Sequence, residues 1–134
     1  MFRDLANRRL PCIAFDVDNL LFKETHQRGR LARIFYKFKS ERDKYLDRDL
    51  DINFILYLRT VWDKGYNIEL ITRKPFKEDL YRLLDKYEVC YTYLHEVTQQ
   101  DLEEGKLRYY YFVCNLHNPN ISNSITLREL QTMI

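Results

Sequence analysis

In the segment F-D-V-D-N, Asp16 and Asp18 stand two residues apart at the end of a short apolar run. Two carboxylates that close do not both ionise cheaply unless a cation sits with them, so the pair either binds a metal or keeps a proton. Both outcomes suit phosphoryl transfer, in which one carboxylate attacks while its neighbour holds the proton needed by the leaving group. An ordinary Asp-Asn turn after a strand is the plainer alternative. A second run, I-E-L-I-T-R-K-P, ends at Thr72 and Arg73. A hydroxyl, the backbone N–H groups after it and a guanidinium together can hold phosphoryl oxygens.

These residues need strands to deliver them. Residues 11–17, 66–72, 89–94 and 108–114 are apolar, β-branched or aromatic runs, and each reads as a strand. Between them lie helical patterns. Leu31, Ile34, Phe35 and Phe38 mark one face of a helix across 28–46. Asp49 or Asp51 caps a second helix, apolar on most sides from Ile52 to Trp62 and stopped at Gly65, that belongs in the core. Pro75 opens a third, with Leu80, Leu83, Leu84 and Tyr87 as its stripe. A short polar helix is expected near 99–105. Thr126 and Glu129 form a capping box for a last helix after the turn-rich N-L-H-N-P-N-I-S-N-S. Strand and helix in alternation predict an α/β fold, a Rossmann-like three-layer sandwich with a mainly parallel sheet. Ligands of such sheets sit beyond the carboxyl ends of the strands, where Asp16, Asp18 and Thr72 fall.

Composition narrows the classes. The 134 residues suit one domain, spanning 1–134, with 19–48 as a flap and minimal lid helix. Lys and Arg total 22 against 20 Asp and Glu, a balance too even to predict nucleic-acid or membrane binding from net charge. Cys12, Cys90 and Cys114 are widely spaced in apolar runs and read as thiols of a reducing compartment. No apolar stretch is long enough to span a bilayer, and the N-terminal residues lack the apolar centre of a signal peptide, so a cytoplasmic protein is expected.

The order D-x-D strand, buried helix, glycine stop and strand ending in a hydroxyl resembles the haloacid dehalogenase (HAD) superfamily of phosphatases and phosphotransferases, over roughly residues 11–120. F-D-V-D-N-L-L matches its first motif and L-I-T its second. The resemblance implies that Asp16 is the nucleophile forming an aspartyl phosphate, Asp18 the general acid and base, and Thr72 a phosphate-binding hydroxyl. It implies Mg²⁺ held by the Asp16 carboxylate and the Asp18 backbone carbonyl. Lys106 is the candidate for the third-motif lysine, with Lys74 and Lys86 as competitors. Asn19 and Leu20 replace the family's usual Gly and Thr, and Asn19 and Arg73 are candidates for substrate binding.

The fourth motif departs from the family. Where one or two acids complete the metal site, this chain has N-L-H-N-P-N, with Asn115 and Asn120 at the spacing of the acidic pair. Asn115 remains a candidate metal ligand, but an uncharged one, so Mg²⁺ affinity should fall. From Thr25 to Ser40 the chain holds Arg28, Arg30, Arg33, Lys37 and Lys39 and no acid. The polar face of an amphipathic helix accounts for most of these, while Arg28 and Arg30, flanking Gly29, are the better candidates to steer a polyanion. Three readings follow. The first is a Mg²⁺-dependent phosphohydrolase acting on a nucleotide or nucleic-acid end, with a homo-oligomeric neighbour as one source of a lid. The second is a catalytically weakened relative that binds a nucleotide or a protein. The third is a PIN-like metal-dependent nuclease, which lacks a later acidic strand end.

Overall fold

The computed structural model describes residues 12–23 and 30–134. Five strands, β1 (Cys12–Asp16), β2 (Asn67–Thr72), β3 (Tyr93–Glu96), β4 (Tyr111–Cys114) and β5 (Ser124–Thr126), form one all-parallel sheet in the order β3-β2-β1-β4-β5. Around it lie α1 (Val17–Leu20), α2 (Arg30–Lys37), α3 (Glu41–Leu46), α4 (Ile52–Asp63), α5 (Lys77–Lys86), α6 (Gln99–Glu103) and α7 (Leu127–Met133). This is an α/β Rossmann-like sandwich, as the alternation of patterns requires.

Alternation along the strands builds two cores. Ile13, Phe15, Ile68, Leu70 and Val113 face one way and pack with Phe54, Leu58 and Val61 of α4, Leu80 and Leu84 of α5 and Leu130 of α7. Ala14, Ile71, Phe112 and Cys114 face the other way and pack with Leu102 of α6 and Ile121. Full burial of one such side chain contributes about 1.5–3 kcal/mol. The chain runs from β1 to β2 to β3 in one direction, then crosses to β4 on the far side of β1. The sheet therefore has its switch point between β1 and β4, where parallel sheets leave a crevice.

Helix boundaries follow local chemistry. Asp51 caps α4 by accepting a hydrogen bond from the Phe54 amide at 3.2 Å, and Gly65, with φ at +96°, turns the chain out of the helix toward β2. The α4 helix is buried on one face only: Phe54, Leu58, Val61 and Trp62 are in the core, while the equally apolar Ile52 and Leu56 are exposed. Thr98 and Thr126 form reciprocal capping boxes at α6 and α7. The pattern across 28–46 is two helices where the sequence reads as one. Ser40 breaks it and caps α3, its hydroxyl accepting from the Asp43 amide at 3.1 Å. The apolar stripe of α2 faces outward, with Phe35 66% and Phe38 83% exposed. The third run of the sequence also shifts: residues 89–92 are a buried approach to β3, and pairing begins at Tyr93. The three cysteines are free thiols, and burial followed by the Glu69 carboxylate pushes the Cys12 thiol far up, so it stays protonated. No helix among the described residues is long and apolar enough to cross a membrane.

Candidate functional site

Parallel pairing places Asp16 beside Ile71, one residue short of Thr72, so the D-x-D segment and the second motif reach the same sheet edge. The chain turns there into α1, and Asp18 is carried back over the end of β2. Its side chain is almost wholly enclosed. Oδ1 of Asp18 accepts from the Tyr45 hydroxyl and the Thr72 hydroxyl, both at 2.6 Å, and Oδ2 accepts from the Arg73 amide at 2.8 Å. Thr72 Oγ1 in turn accepts from the Lys74 amide at 3.1 Å. Asp18 thus fastens β1 to the turn after β2 and to the helix α3.

Asp16 is placed differently. Its Oδ2 accepts from Asn19 Nδ2 at 2.8 Å and from Arg73 Nη2 at 3.0 Å. Its Oδ1 is buried and has no hydrogen-bond partner among the described residues. Burial raises the Asp16 pKa above the ordinary carboxylate value; Asn19 and Arg73 oppose the rise and the neighbouring Asp18 adds to it. Asp16, Asn19 and Arg73 line a cleft of about 270 Å³ whose other wall is Cys114 to Pro119, so it lies at the switch point.

The β4 wall carries no Asp, Glu, Lys or Arg and satisfies itself. Asn115 Oδ1 accepts from the Leu116 amide at 2.9 Å, Asn118 Oδ1 from the Asn120 amide at 3.1 Å, and Ser124 Oγ from the Asn118 amide at 3.0 Å. His117 lines the cleft with Nδ1 held 3.1 Å from the Ser124 carbonyl oxygen.

Asp16, Asp18, Thr72, Arg73 and Asn19 are therefore gathered at one end of the sheet, with Asn115 across the cleft. Lys106 is not. It follows α6, on the chain's return toward the amino ends of the strands, and its exposed ammonium lies 3.3 Å from Asp101 and 3.2 Å from Glu104. The lysine at the correct end is Lys74, which lines a second cavity beside Asp18. Arg30 opens α2 as an exposed residue, and Arg28 lies outside the described residues. Two residues that hold Asp18 escape sequence reasoning, Tyr45 and Arg48. Arg48 Nη1 donates to the Asp18 backbone carbonyl at 2.9 Å. Burial, then the adjacent Asp18, pushes the Tyr45 hydroxyl far up, so it remains a donor. Their only sequence signal is membership of the 19–48 flap.

The donors that the resemblance assigns to Mg²⁺ do not form a site for it here. Asp16 Oδ1 is one free anionic oxygen, but Oδ2 is paired with Arg73, the Asp18 carbonyl with Arg48, and the Asn115 amide oxygen with its own loop. Among the described residues no three His, Cys, Asp or Glu side chains come together as a metal-binding group. Comparison with known proteins finds no match: no family model, curated protein or solved structure aligns with the chain.

Proposed function

We propose that the protein is a HAD-like phosphohydrolase whose switch-point cleft takes the phosphoryl group of a nucleotide or nucleic-acid end. The observation that carries this reading is Asp16 Oδ1, a buried carboxylate oxygen without a hydrogen bond, beside a guanidinium at the carboxyl end of the central strand. An oxygen that has lost its solvation and gained no donor is a better nucleophile than one that is paired. Oδ1 bonds to phosphorus as the ester P–O bond breaks, the departing oxygen takes a proton from Asp18 in this reading, and water, losing a proton back to Asp18, then cleaves the acyl phosphate to inorganic phosphate and free Asp16. Arg73 offsets the charge on the phosphoryl oxygens.

The body of the substrate has a place nearby. A cavity of about 400 Å³ beside Asp18 is lined by three cations, Lys44, Arg48 and Lys74, against one acid, Glu41, and by Tyr36, Tyr45 and Phe76. Cations interleaved with aromatic side chains favour an anionic ligand carrying a flat ring. This supports a nucleotide or a nucleic-acid end.

A second reading, a weakened enzyme that binds more than it turns over, is favoured by Asp18. Three donors converge on its carboxyl group, and a carboxylate held as an acceptor is a poor proton donor to a leaving group. Phosphate release from an aryl phosphate, compared between the native protein and Asp16→Asn, separates the readings. Release that falls to background in Asp16→Asn supports the enzyme. Tight nucleotide binding by calorimetry without release supports the second reading, and undiminished release in Asp16→Asn removes the first.

A further inference from the structure

We infer that the guanidinium groups of Arg73 and Arg48 are the resident cations of this site, and that it holds a phosphoryl group without a divalent metal ion. The phosphate half of this inference rests on the reading above; the cation half does not.

The donors with which the resembled family holds a divalent ion are each engaged here by something else. The Asp16 carboxylate receives Arg73 Nη2 at 3.0 Å, and the Asp18 backbone carbonyl receives Arg48 Nη1 at 2.9 Å. The side chain across the cleft, Asn115, is neutral and turned to the Leu116 amide at 2.9 Å. Charge follows the same pattern. The Asp16 carboxylate is already paired with one guanidinium, and a second stands at the Asp18 carbonyl, so two positive charges occupy the places a divalent ion would need. Magnesium demands an octahedron of oxygens, commonly with one or two carboxylates. A guanidinium needs only planar N–H to oxygen contacts, which this site supplies.

Arg73 also has capacity to spare. Its Nε is a buried N–H without a partner among the described residues, and it lies in the same side chain that pairs with Asp16. A buried donor left unmade costs free energy that an incoming anion recovers. The unpaired Asp16 Oδ1 and the unpaired Arg73 Nε are one acceptor and one donor left over at the same cleft. They suit a tetrahedral oxyanion, which presents oxygen to the guanidinium and either an O–H or its phosphorus to the carboxylate. A bare divalent cation answers only the first of the two.

Two measurements on the full chain test this. Manganese paramagnetic resonance, with Mn²⁺ as the probe, reads the cation half. We expect no Mn²⁺ site at Asp16 in the native protein and a gained site in the double variant Arg48→Met, Asn115→Asp. A native Mn²⁺ site that Asp16→Asn abolishes overturns the inference, and so does a folded double variant that gains none. Calorimetry with inorganic phosphate reads the other half. Affinity should be the same in chelator as in Mg²⁺ and should fall about tenfold in Arg73→Ala, the scale of one charge-assisted hydrogen bond. Affinity that rises with Mg²⁺ overturns the inference. Phosphate that binds in neither buffer overturns the phosphoryl reading and the metal-free binding drawn from it, while the Mn²⁺ result still decides which groups are the resident cations.

Discussion

The two walls of the switch-point cleft are built on opposite principles. Behind the β2 wall, the carboxylate and carbonyl oxygens of Asp18 and the Thr72 hydroxyl are tied into one network that reaches through the Arg73 turn to Tyr45 and Arg48 of the flap. On the β4 wall, the side chains of Asn115 and Asn118 close on amides one or two residues away, and the lining from Cys114 to Pro119 contributes no Asp, Glu, Lys or Arg. The first wall depends on parts of the chain distant in sequence. The second depends on itself. Perturbing the first should therefore spread into stability and the seating of the flap, whereas perturbing the second should stay local.

Thr72→Val gives the largest expected loss. The hydroxyl is fully buried, donates to Asp18 and accepts from the Lys74 amide, so its removal leaves a buried carboxylate oxygen short of a donor and an amide short of an acceptor. A cost of about 2–3 kcal/mol is expected in urea unfolding. Tyr45→Phe follows, at about 1–2 kcal/mol, since Thr72 still serves the same Asp18 oxygen. Hydrogen exchange should show the amides of α3 opening more readily in that variant, because Tyr45 is the buried residue that joins α3 to the site. Unchanged exchange there would show that the flap is seated by its other contacts, the Arg42–Asp79 pair and Arg48 among them.

Asp16→Asn should act in the opposite direction, with a smaller effect. The Asp16 pKa is raised in the folded protein, chiefly by burial. Across the interval between the ordinary carboxylate value and the raised one, the folded state keeps a proton that the unfolded state has lost. Native stability therefore falls as pH rises through that interval, and the penalty is fully present above it. Asparagine carries no such penalty. The variant should melt higher than the native protein at neutral pH, and the difference should shrink as pH drops below the interval. A melting advantage that grows toward acid would contradict the assignment of burial as the dominant cause.

The sequence makes the β2 wall legible in part, for a geometric reason. Asp16, Asp18, Thr72 and Arg73 sit at strand ends, and parallel register carries strand ends to one edge whatever the lengths of the connections. Tyr45 and Arg48 are illegible because they arrive from a helix whose seating depends on tertiary contacts such as the tilted Tyr45–Phe76 ring pair, with centroids 5.5 Å apart. Lys106 pairs with the acids of its own neighbourhood, Asp101 and Glu104, because sequence spacing measures distance along the chain but not which side chains the fold brings to the ammonium. Ser124–Thr126 pairs beside β4 as a strand although its neighbourhood reads as turns, since three residues, the last of them a helix cap, carry no period. The stripe from Leu31 to Phe38 has helical spacing, which specifies a helix but not what covers it.

Asn115→Ala is the smallest expected effect and the sharpest check on the contrast between the walls. The Asn115 side chain is exposed, and its one hydrogen bond, from the Leu116 amide, is within reach of water once the side chain is cut back. Stability should change by no more than about 0.5 kcal/mol, as for a surface substitution. If Arg73 supplies the positive charge of the site, phosphate affinity should hardly move either, because an uncharged amide turned to its own backbone gives nothing to a ligand. A large loss of phosphate binding in Asn115→Ala, with the fold intact by circular dichroism, would mean that the β4 wall turns its amide outward when an anion enters. The two walls would then work as one site, and the self-contained loop would be only its resting form.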